Sequence, residues 1–238
     1  VGMGALGDND STAGASSTSV TAVGAMASGV TSIAAGAYHT CGIKDGALYC
    51  WGKGADGRLG DNFAIDRPYP TQVYGFAGGV TKVCAQESAT CAIRNGGAYC
   101  WGMGTSGELG SGTVVSSLIP TAVSGASSGV TDLSCQQKGG CIVKDGQLGC
   151  WGNYNTVGTN GNPDLTNRNS PAACYLSPSV EAQGPVTLGT GGGTVDSQTM
   201  CAIRAGKLYC WGANENYQFG NATQTSSAYL KETSLFTW

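Results

Sequence analysis

Residues 38–52 read YHTCGIKDGALYCWG, and the chain repeats them as SATCAIRNGGAYCWG at 88–102, KGGCIVKDGQLGCWG at 138–152 and QTMCAIRAGKLYCWG at 198–212. The first cysteine of each unit falls at 41, 91, 141 and 201, so the period is 50, 50 and then 60, the last stretched by an insertion. Self-similarity at such a period marks an array of small supersecondary units. Asp45-Gly46 sits midway between Cys41 and Cys50, and Asn95-Gly96, Asp145-Gly146 and Ala205-Gly206 hold the same place. Asp-Gly and Asn-Gly favour the two-residue type I′ hairpin turn, because both central residues need positive φ. Ala205 is the weakest of the four at that position.

Such a turn fixes the register. Lys44 faces Ala47, Ile43 faces Leu48, Gly42 faces Tyr49, and Cys41 faces Cys50 in a non-hydrogen-bonded pair. The Cα atoms of such pairs are about 4.5 Å apart, within the span of a disulfide. The expected bridges are therefore Cys41–Cys50, Cys91–Cys100, Cys141–Cys150 and Cys201–Cys210. Each closes a short loop and contributes on the order of 2–3 kcal/mol on chain-entropy grounds. Zinc would need a second close ligand pair, and His39 is the sole histidine. Cys84, Cys135 and Cys174 lie outside the repeat pattern. They are open to a further bridge, to an interchain bond, or to burial as small thiols.

Parity sorts the hairpin side chains: Cys41, Ile43, Leu48 and Cys50 share one face, Tyr49 and Trp51 the other. A hairpin apolar on both faces must be covered on both, which radially stacked sheets achieve in a propeller and stacked units achieve in a solenoid. A strand-like block precedes each hairpin (GVTSIAAG at 29–36, GVTKVCAQ at 79–86, GVTDLSCQ at 129–136, and a shortened GTVDSQ at 193–198), and a Gly-rich block follows it (GADGRLGD at 54–61, GTSGELGS at 104–111, a degraded NTVGTNGN at 155–162 and ENYQFGNA at 215–222). VGMGALGDND at 1–10 matches that following block. The expected organisation is one repeat domain over 1–238: a partial unit at 1–28, then repeats at 29–78, 79–128, 129–192 with the insertion, and 193–238.

The combination of Tyr38-His39-Thr40-Cys41, Cys50-Trp51-Gly52, Gly57-Arg58-Leu59-Gly60 and Gly107-Glu108-Leu109-Gly110 resembles the RCC1-type (regulator of chromosome condensation) repeats, in the cysteine-bearing variant of secreted and surface proteins. The resemblance covers almost the whole chain. It implies an all-β fold, a β-propeller of four-stranded blades or part of one, usually of seven blades. Seven blades of this period need more than 238 residues, so the expectation is continuation in a longer polypeptide, a smaller ring, or an open array completed by self-assembly or another chain.

Composition narrows the function classes. The 40 glycines suit many tight turns. Net charge is −3 and the 12 Lys and Arg are scattered, which disfavours nucleic acid, and no stretch is apolar for long enough to span a bilayer as a helix. Eleven cysteines, eight of them in disulfide spacing, point to an extracellular or cell-surface location. His39 reads as a scaffold residue, and without it no Ser/His/Asp set can be built. Asp45 and Asp145 are turn formers. Asp8-Asn9-Asp10 and Asp61-Asn62 lack the following Glu of a calcium loop. The expectation is therefore a non-enzymatic, cofactor-free structural or protein-interaction module, with a lectin or secreted inhibitor as the alternative and a protein or glycan as partner. The insertion 153–192 is a long loop open to two readings, a binding segment or a tolerated surface insertion. Asn9 and Asn221 head glycosylation sequons.

Overall fold

The computed structural model describes residues 23–153, 166–173, 186–189 and 199–232. Residues 1–22 of the partial unit at 1–28, most of the 153–192 insertion, Cys174 and Asn9 lie outside them. The described chain is almost entirely β. It forms four antiparallel four-stranded sheets, each a meander in sequence order. Blade 1 comprises β1 (Val30–Ala35), β2 (His39–Lys44), β3 (Ala47–Gly52) and β4 (Arg67–Gln72). Blade 2 comprises β5 (Val80–Ala85), β6 (Ala89–Arg94), β7 (Gly97–Gly102) and β8 (Ser117–Ala122). Blade 3 follows with β9 (Val130–Gln136), β10 (Gly139–Lys144), β11 (Gln147–Gly152) and β12 (Arg168–Ala173), and blade 4 with β13 (Val186–Leu188), β14 (Thr199–Arg204), β15 (Lys207–Gly212) and β16 (Ser227–Glu232).

The central hairpin of each blade has the register that its turn dictates. Lys44 pairs with Ala47, Ile43 with Leu48 and Cys41 with Cys50, and the other three blades repeat this. Both turn residues have positive φ, 50° at Asp45 and 76° at Gly46, as the type I′ turn demands. Ala205 is held in the same left-handed region at φ 48°. The four hairpin cysteine pairs are bonded, with Cα atoms 4.1 Å apart in each. A fifth bond, Cys84–Cys135, joins β5 to β9, and so ties blade 2 to blade 3.

The blades stack face to back. The Cys/Ile/Leu face of blade 1 meets the Trp face of blade 2, so that Ile43, Leu48 and Leu59 share a core with Ala92 and Trp101. Blade 2 meets Trp151 of blade 3 in the same way, and blade 3 meets Trp211 of blade 4. The GxLG block has its physical reason here. Its Leu enters the seam, Leu59 and Leu109 being fully buried. The carbonyl before that Leu accepts the indole N–H of the next blade, Trp101 Nε1 to Arg58 O at 3.0 Å and Trp151 Nε1 to Glu108 O at 2.8 Å. Its last glycine lies under that same ring: a Cβ on Gly60 or Gly110 would come within 2.5 Å and 2.8 Å of the Trp101 and Trp151 indoles, closer than side-chain carbons approach.

Candidate interaction face

Alternating strand directions put the β1–β2 and β3–β4 connections of a blade at one end of its sheet, and the β2–β3 turn and the link to the next blade at the other. The end with the β1–β2 and β3–β4 connections has the richer chemistry. Toward the inner strands, residues 35–38, 85–87 and 135–137 of three successive blades line a cleft of about 330 Å³. A second cleft of about 290 Å³ adjoins it, walled by Glu87, Met103, Glu108 and Lys138. Gln86 borders both.

Polar groups reaching from one blade to the next hold these walls. Arg58 donates from Nη1 to Glu87 O at 2.7 Å and pairs with Asp56 at 2.9 Å. Gln86 donates to Gly139 O at 2.7 Å, and Gln137 donates to Glu87 Oε2 at 2.7 Å. The Tyr38 ring carries the Lys53 ammonium at 4.9 Å and the Arg58 guanidinium at 5.9 Å from its centroid, a cation–π arrangement. Cys135, bonded to Cys84, forms part of the first cleft wall. On the inner strands Lys82 pairs with Asp132, whose other carboxylate oxygen accepts the Leu188 N–H at 2.6 Å. Blades 2, 3 and 4 are thereby linked.

His39 belongs to the seam between blades 1 and 2. It is buried, with Nε2 2.7 Å from Thr90 Oγ1. Thr90 donates its only hydroxyl proton to Arg58 O at 2.7 Å, so His39 must be the donor in its bond to Thr90 and carries its proton on Nε2. Burial, helped by the nearby Arg58 charge, lowers its pKa from 6.5 to about 3. The ring is a neutral strut shut off from solvent.

Farther out on the same face, the β3–β4 loop of blade 1 exposes Phe63 and Ile65, and the β7–β8 loop of blade 2 exposes Val114 and Val115. The Asn62 N–H donates to Leu118 O at 3.1 Å and holds the two rims together. Leu118 is itself exposed. The matching β15–β16 loop of blade 4 contains Asn221. Sequence periodicity could not find the clefts or the rim: Gln86 and Gln136 recur at the period, but most of the other residues do not. The only sequence signal of the fifth disulfide was the presence of two cysteines at the ends of equivalent strands. Among the described residues no group of three or more His, Cys, Asp or Glu is placed to hold a metal ion, and no helix is long and apolar enough to cross a membrane.

Comparison with known proteins agrees with this architecture. The profile of the regulator of chromosome condensation (RCC1) repeat matches residues 45–93 and 95–139, and a second RCC1-repeat profile matches 30–58. No curated protein matches the chain. Among solved structures, human WBSCR16 aligns at a TM-score of 0.70 and 22% identity, over 85% of this chain and 52% of its own. Prp20p from Saccharomyces cerevisiae, described with its binding to Gsp1p and histones, aligns at 0.65 and 17%, over 86% and 50%. The yeast RCC1 (Prp20) bound by Kap60 aligns at 0.65 and 18%, over 86% and 48%. The chain thus spans about half the length of these structures. With repeat profiles over residues 30–93 and 95–139 and the same blade in all four sheets, the chain carries RCC1-type repeats and shares the fold of the RCC1-like propellers.

Proposed function

We propose that this chain is an extracellular or cell-surface protein-interaction module, and that it meets its partner with the face carrying the β1–β2 and β3–β4 connections. The observation that carries this reading is the rim of that face, where Phe63 and Val115 are 54% and 65% exposed at the same end of the blades as the clefts. Exposed apolar patches rimmed by polar groups are a mark of protein contact sites. The five disulfides among the described residues suit an oxidising compartment. The protein partners of the yeast relative support a protein ligand as a class. Catalysis is disfavoured, because the sole histidine is buried as a neutral strut.

The test compares two faces. Phe63→Asp and Val115→Asp change the proposed face, whereas Tyr74→Asp changes an equally exposed aromatic (60%) in the link between blades 1 and 2 at the opposite end. Surface-labelled partners retained by the immobilised, oxidised chain should fall at least tenfold with the first two variants and not with the third. Equal retention by all three would refute the proposed face.

A further inference from the structure

The β15–β16 loop carries Asn221-Ala222-Thr223, an acceptor triplet for N-linked glycan. We propose that Asn221 is glycosylated, so that the fourth blade displays an N-linked oligosaccharide on the same face as the apolar rim. This rests on the secretory-compartment reading above.

The local geometry leaves the acceptor atom uncommitted. The Thr223 N–H and hydroxyl both donate to Asn221 Oδ1, at 3.2 Å and 2.9 Å. The loop hangs from Asn214, which is fully buried: its Oδ1 accepts the Phe219 N–H at 2.8 Å and its Nδ2 donates to Thr223 O at 2.8 Å. Nδ2 also lies 3.4 Å from Asn221 Oδ1. The amide oxygen of Asn221 is therefore used by the fold, while its Nδ2 donates to nothing among the described residues. Ala222, Thr223, Gln224 and Thr225 are all exposed. A sugar on Nδ2 would displace no described contact.

The matching loop of blade 1 is closed differently. Asp61, at the position of Asn221, accepts the Arg67 guanidinium at 2.6 Å and is nearly buried. In blade 4 that ion pair is replaced by a turn that consumes only the oxygen. In the transfer, Asn221 Nδ2 bonds to C1 of the first sugar of a lipid-diphosphate-linked oligosaccharide. The C1–O bond to the diphosphate breaks, its electron pair leaves on the lipid diphosphate, and one Nδ2 proton passes to a base of the transferring enzyme.

The experiment translates all 238 residues behind a cleavable leader into mammalian microsomes. The protease-protected product is then mapped, non-reduced, by peptide mass before and after amidase deglycosylation. The expected result is an Asn221 peptide carrying one glycan, converted to Asp by the amidase. Thr223→Ser should keep the glycan and Thr223→Ala should lose it. Peptide mapping separates any signal from Asn9. A protected chain with its cysteine pairs formed and Asn221 unmodified overturns the site but leaves the secretory reading intact. A protected chain whose cysteines stay reduced overturns the secretory reading itself. The wild-type map decides the matter even where the Ala variant fails to fold.

Discussion

The seam-forming face of blade 1 and the same face of blade 4 are built from nearly the same hairpin, yet they live in different surroundings. Ile43 and Leu48 are 1% and 0% exposed, whereas Ile203 and Leu208 are 50% and 40% exposed. The register and the disulfide are alike. What differs is the Trp-bearing blade that covers the first pair, which blade 4 lacks among the described residues. The Gly-rich blocks differ in the same sense. A Cβ on Gly57 would come within 2.7 Å of the Leu118 Cα in the next blade, and one on Gly107 within 2.9 Å of Arg168 O. Tyr217 holds that position in blade 4 and is 55% exposed. A Cβ on Gly60 would meet an indole, whereas one on Gly220 would meet nothing within 4 Å. In blades 1 and 2 the glycines of the motif therefore answer to the next blade, against whose backbone or indole they pack.

Substitution can break that comparison most sharply at the isoleucines. Ile43→Ala should cost roughly 2–5 kcal/mol, the usual loss for a buried aliphatic, and Ile203→Ala less than about 1 kcal/mol, because half the side chain is already in water. Denaturant melts of the two oxidised variants measure the difference. Equal losses would mean that a cover on blade 4 substitutes for a following blade.

The seam between blades 1 and 2 should also be the acid-sensitive one. His39 is neutral when folded, with a pKa of about 3 against 6.5 when unfolded. Between these values the unfolded chain binds a proton that the native chain does not. The contribution of this residue is full above pH 6.5 and is lost as pH falls, by at most about 1.4 kcal/mol per pH unit. Stability-against-pH curves should fall less steeply for His39→Gln over that window.

Gly57→Ala should destabilise by about 1–3 kcal/mol, since it adds a strained positive φ and a contact with the next blade. Tyr217→Gly at the matching place should be neutral or stabilising, because Tyr217 already sits at φ 61°. A lowered melting temperature for the first and an unchanged or raised one for the second are the expected readout. The smallest effect belongs to the fourth turn. Ala205→Asn should gain roughly 0.5–1 kcal/mol, as Asn adopts the left-handed conformation at lower cost than Ala.

The hairpins could be read from sequence because everything that fixes them lies within ten residues: a turn dipeptide, symmetric cysteines and alternating faces. The seams were only half visible. Periodicity marked Trp101 and Leu59 as repeat features, but not that the Arg58 carbonyl receives the Trp101 indole. Of the unrepeated contacts, the sequence left a further bridge among Cys84, Cys135 and Cys174 open without fixing its partners, and it showed nothing of the others. Cys84–Cys135, Lys82–Asp132 and Arg58–Glu87 each join residues of different blades, and such pairs follow only from the stacking of neighbours. The interaction face is of the same kind. Phe63, Ile65, Val114 and Val115 lie in loops without a shared motif, and strand direction alone gathers them at one end.

The most direct test is a disulfide map of the native, non-reduced protein. A small loop of separation 9, such as Cys91–Cys100, and the longer loop of separation 51 closed by Cys84–Cys135 report on the hairpin and on the stacking of blades respectively. The account predicts peptides linked as 41–50, 91–100, 141–150, 201–210 and 84–135. Free thiols at the hairpin positions, or Cys84 and Cys135 bonded to other partners, would contradict it.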